Sequence, residues 1–83
     1  MAVKLTLGFL GAGKMAAALA RGFIQAGLVT PRQVLAGDPT EAARAAFAKE
    51  TGAATTASNA EVAKFARVLV LAVKPDYTAP VLA

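Results

Sequence analysis

The chain has 83 residues, 57% hydrophobic and 17% charged, with a formal net charge of +4. That length holds one domain, and the absence of Cys and His excludes disulfides, thiolate or imidazole metal sites and Cys- or His-dependent nucleophile schemes within it. The cations are scattered from Lys4 to Lys74 and aromatics are few, which argues against a nucleic-acid surface, and no apolar run approaches the roughly 20 residues of a membrane span.

Leu5 to Leu10 is mostly apolar and reads as a buried parallel strand. Lys4 ahead of it and the alanines behind it imitate a secretion signal, but Gly8, Gly11, Gly13 and Lys14 interrupt the apolar segment. Gly11-Ala12-Gly13 is a turn, and Lys14 to Ala26 has helical composition. Met15, Leu19, Phe23 and Ala26 recur at helical spacing and are the expected buried stripe. Gly27 stops the helix.

Thr30-Pro31-Arg32-Gln33 predicts a short helical turn and Val34 to Ala36 a second strand. Asp38-Pro39-Thr40-Glu41 predicts a helix start with Asp38 at the N-cap and Pro39 in the first position. That helix runs to about Glu50, burying Ala43, Ala46 and Phe47, and ends at Gly52. Ala53 to Thr56 is a short third strand. Ser58-Asn59-Ala60-Glu61 starts a third helix ending near Phe65, and Val68 to Val73 is a β-branched fourth strand stopped by Lys74-Pro75.

Strand and helix alternate throughout, which predicts an α/β fold: a parallel sheet with helices on both faces. A dinucleotide-binding domain has two such halves. The chain supplies one and the start of the other, so it reads as the N-terminal part of a longer protein. Gly11 to Ala16 fits G-x-G-x-x-A between a strand and a helix. The first glycine permits the turn, the second admits a diphosphate, and the small third residue lets helix and strand pack closely. The helix start offers its free amides to the anion. Lys14 there opposes the helix dipole unless phosphates lie nearby. Asp38, just past the second strand, would accept the adenosine ribose hydroxyls and repel an added phosphate, a lean toward NAD over NADP.

With GFLGAGKMAAALARGF, AGDPT, TTASNAEVA and LVLAVKP in place, the chain resembles the N-terminal segment of pyrroline-5-carboxylate reductases over nearly its whole length. The resemblance implies a Rossmann-type domain that binds NADP or NAD and serves the hydride reduction of 1-pyrroline-5-carboxylate to L-proline, in the cytoplasm. It implies cofactor contacts at Leu10, Gly11, Ala12, Gly13, Lys14, Met15, Asp38, Asn59, Ala72, Val73, Lys74 and Pro75. Relatives carry Asn or Gln where Lys14 stands and a small polar residue where Asp38 stands. The resemblance places substrate handling and homo-oligomer formation in a C-terminal helical domain, so no catalytic residue is assigned here, and the segment alone is expected to be inactive. Two alternatives remain: another hydride-transfer enzyme, such as a hydroxyacid dehydrogenase or imine reductase, and a non-catalytic dinucleotide-binding module.

Overall fold

A computed structural model describes residues 5–71. They form four strands, β1 (Leu7–Leu10), β2 (Val34–Gly37), β3 (Ala54–Thr56) and β4 (Val68–Leu71), and three helices, α1 (Lys14–Gln25), α2 (Glu41–Thr51) and α3 (Asn59–Phe65). All strand pairings are parallel, in the order β3-β2-β1-β4. The expected α/β architecture is therefore present. Leu10 pairs with Gly37 on one side and Leu71 on the other, so the chain leaves β1 between two neighbouring strand ends.

Side chains alternate across the sheet. Leu7, Phe9, Val34 and Ala36 join one core with Ala16, Ala17 and Ala20 of α1 and Phe47 of α2. The rings of Phe9 and Phe47 meet at 5.9 Å between centroids, tilted by 55°. The opposite face is built differently. A Cβ on Gly8 would come within 2.7 Å of Val62 Cγ1, and one on Gly37 within 2.7 Å of Val62 Cγ2. Val62, fully buried, thus fills the space that two missing side chains leave, and α3 lies close against the strands.

Three expectations about helices are corrected. The buried stripe of α1 is Ala16, Ala17 and Ala20, with Phe23 and Ile24 partly buried. Met15 is 55% exposed and Leu19 40%, and Ala26 is exposed as well. Close approach to the sheet requires the small side chains inward, which turns the large ones out. In α2, Phe47 is buried and Ala43 partly so, but Ala46 is exposed. The N-cap of α2 is Thr40, without a side-chain capping bond, because Asp38 still belongs to the sheet: its N–H donates to Thr56 O at 3.0 Å.

The other punctuation holds. Pro31–Gln33 is a 3₁₀ turn with a capping box from Thr30. Gly27 and Gly52 adopt positive φ just beyond α1 and α2. Ser58 caps α3 by accepting the Glu61 N–H at 3.3 Å, while the Glu61 carboxylate accepts the Thr56 hydroxyl. In β4, 45% of Val68, 49% of Leu69 and 65% of Leu71 are exposed, since the strand lies at one end of the strand order among the described residues.

Candidate dinucleotide site at the glycine turn

The turn after β1 is shaped by its glycines in two different ways. Gly11 has φ of 117°, a conformation costly for any residue with a Cβ. Its N–H continues the sheet by donating to Gly37 O at 2.7 Å. Gly13 has an ordinary φ of −78° at the N-cap of α1, and a Cβ there would meet no atom of the described residues within 4 Å. Neither backbone strain nor packing demands glycine at this position. What a Cβ would fill is open space in front of the helix, the approach a diphosphate needs.

Two amides of the turn are taken up within the protein. Besides Gly11, Ala12 has its N–H committed, donating to Asp38 Oδ2 at 3.0 Å. The available amides therefore begin at Gly13 and continue into the first turn of α1, at Lys14 and Met15, which have no intrahelical acceptors. No acidic side chain occupies that first turn. An anion placed there meets free N–H groups, the positive end of a helix and the exposed Lys14. The donor set fits a dinucleotide diphosphate.

Asp38 is the second component. Its Oδ2 holds the Ala12 amide, and its Oδ1 accepts the Thr40 N–H at 2.8 Å, a local turn of the kind Asp favours. Burial raises its pKa, but the bonds from Ala12 and Thr40, with Arg44 nearby, outweigh this and bring it below the ordinary 3.8. The carboxylate is ionised at neutral pH and fastens the glycine turn to the head of α2. Arg44 Nη1 donates to Asp38 O at 2.8 Å.

Asn59, the first residue of α3, stands over the end of β2: its Oδ1 lies 2.8 Å from where a Gly37 Cβ would be. Its side chain is exposed. The structure thus gathers Leu10, Gly11, Ala12, Gly13, Lys14, Met15, Asp38 and Asn59 at the carboxyl ends of the strands, where open α/β sheets bind ligands. Ala72, Val73, Lys74 and Pro75 lie outside the described residues. A groove of about 560 Å³ shares Ala12, Gly13 and Lys14 with the site, but runs away from the strand ends between α1 and α2 toward Arg21 and Glu50, whose ion pair measures 2.7 Å.

Sequence reasoning missed Gly8, Gly37 and Arg44. The two glycines were hidden because their partner, Val62, is distant in the chain. Arg44 did leave a signal, an arginine in the opening turn of a helix where its charge is unfavourable without an anion nearby.

Comparison with known proteins agrees with this geometry. Residues 6–83 match the family model described as NADP oxidoreductase coenzyme F420-dependent. The chain is 47% identical over 77 residues to pyrroline-5-carboxylate reductase 3 of Mus musculus, covering 93% of this chain and 28% of that protein. It is 40% identical over 76 residues to pyrroline-5-carboxylate reductase of Methanosarcina acetivorans, covering 92% and 28%. With pyrroline-5-carboxylate reductase 2 of Homo sapiens it shares 42% over 72 residues, covering 86% and 22%. It spans little more than a quarter of the mouse and archaeal relatives. The glycine turn, the parallel sheet and the extent of these matches identify the chain as a member of that NADP oxidoreductase family, similar to the N-terminal, dinucleotide-binding segment of pyrroline-5-carboxylate reductases.

Proposed function

We propose that this chain is the cofactor-binding module of a pyrroline-5-carboxylate reductase, in which NAD(P)H reduces the C=N bond of 1-pyrroline-5-carboxylate to give L-proline. The observation that carries the reading is Gly13, a glycine with ordinary backbone geometry and, among the described residues, nothing within 4 Å of its would-be Cβ. The nicotinamide supplies the hydride when the cofactor is bound. The residues of this chain bind and orient: the amides from Gly13 to Met15 and the Lys14 ammonium hold the diphosphate, Asp38 keeps the turn in place, and Asn59 borders the crevice.

Substrate binding and subunit assembly are assigned to sequence beyond this segment, as a homo-oligomer working in the cytoplasm. The 83 residues alone bind cofactor weakly and do not turn over. The test is a fluorescence titration of NADPH and NADH against the full chain and its Gly13→Val variant. A Cβ at this position meets no described atom within 4 Å, so Gly13→Val stays folded, losing about 1 kcal/mol of N-cap preference, but loses at least about tenfold in cofactor affinity. Equal affinity in the two proteins refutes the cradle. Activity is then checked by proline formation from pyrroline carboxylate. Turnover of a 2-hydroxy acid or another imine in its place selects a different hydride-transfer enzyme of the same family.

A further inference from the structure

We propose that Arg44 sets the cofactor preference of this module, by receiving the 2′-phosphate that distinguishes NADPH from NADH. The inference rests on the dinucleotide reading above and names a determinant within it.

Asp38 stands where an acid commonly accepts the adenosine ribose hydroxyls of NAD. Here each of its carboxylate oxygens already accepts a main-chain N–H, Oδ2 from Ala12 and Oδ1 from Thr40. The side chain thus joins two loops of the protein, and both oxygens are held in place by those amides. Arg44 approaches the same corner from the first turn of α2. One guanidinium nitrogen is fixed on the Asp38 carbonyl at 2.8 Å, which anchors the planar group beside the β2 end. The ion pair recorded among the described residues joins Arg21 to Glu50, so no carboxylate among them neutralises Arg44 by direct contact. Its remaining N–H donors form the flat fork that matches a phosphate. A ribose hydroxyl would gain little from such a group, whereas a phosphomonoester gains both charge and geometry. The cation also offsets the repulsion that Asp38 would otherwise exert on that phosphate.

The test measures Kd for 2′,5′-ADP, 5′-AMP, NADPH and NADH on the full chain, with Arg44→Ala and Arg44→Gln beside wild type. Glutamine can still donate to the Asp38 carbonyl, so it removes the charge while keeping the anchor. Wild type binds 2′,5′-ADP about tenfold or more tighter than 5′-AMP, the range of a charge-assisted contact. Both variants bring the two nucleotides within about twofold while NADH affinity holds, and the ionic-strength dependence of NADPH binding weakens. Undiminished discrimination in a folded Arg44→Gln protein, or tighter wild-type binding of NADH than NADPH, overturns the role of Arg44 and leaves the dinucleotide site standing. Failure of folded wild type to bind either dinucleotide overturns both.

Discussion

At the scale of single residues, the site depends on an aspartate whose two oxygens serve different parts of the chain. Because the folded-state pKa of Asp38 lies below its ordinary 3.8, its contribution to stability is complete above that unfolded value. It is lost as pH falls through the lower folded value. Asp38→Asn keeps one good acceptor and loses the second along with the charge, at a cost of about 1–2 kcal/mol at pH 7. Urea midpoints measured downward from pH 6 should fall less steeply in the variant than in wild type. Parallel curves would show that Asp38 is not the group being titrated. The residue was legible in the sequence as an acid after the second strand. Its bond to Ala12 was not, because a partner 26 positions away leaves no local pattern. Gly11 and Gly13 were already told apart in the motif, and the fold agrees: Gly11 carries the positive φ, and Gly13 faces open space among the described residues.

At the scale of elements, the order and type of every segment in residues 5–71 were readable from turn chemistry: Gly27 and Gly52 after helices, Ser58 and Thr30 before them. Which side of α1 faces inward was not. Helical spacing places Met15, Leu19 and Phe23 on one stripe and Ala16, Ala17 and Ala20 on another, and hydrophobicity favours the first. Depth of packing favours the second, and that is a property of the sheet. The same close packing governs α3. Gly37→Ala would press on Val62 Cγ2 at 2.7 Å and Asn59 Oδ1 at 2.8 Å, costing about 1–3 kcal/mol. Val62→Ala removes the buried obstruction and leaves that of Asn59, whose exposed side chain can turn aside, so the double variant should be more stable than the sum of the single losses by at least about 0.5 kcal/mol. Strict additivity in chemical denaturation would show that α3 shifts aside instead.

At the scale of the whole molecule, α1 and α2 share one core, α3 closes the other face, and β4 leaves much of its apolar surface uncovered. A chain of this length buries only about 60% of its unfolded surface and is marginal by itself. Prepared alone, it should associate as concentration rises, through the exposed β4 and the outward stripe of α1. Leu71→Lys, a charge on an exposed edge, should move its elution toward the monomer in size-exclusion chromatography. Unchanged elution would place the contact elsewhere. Finally, one carboxylate fastens the glycine turn to the beginning of α2. Immobilising that turn with NADH, which lacks the phosphate assigned to Arg44, therefore also quiets the head of α2. Amide exchange should slow along Glu41 to Arg44 as well as at Gly13, so occupancy can be read from a distant stretch of backbone.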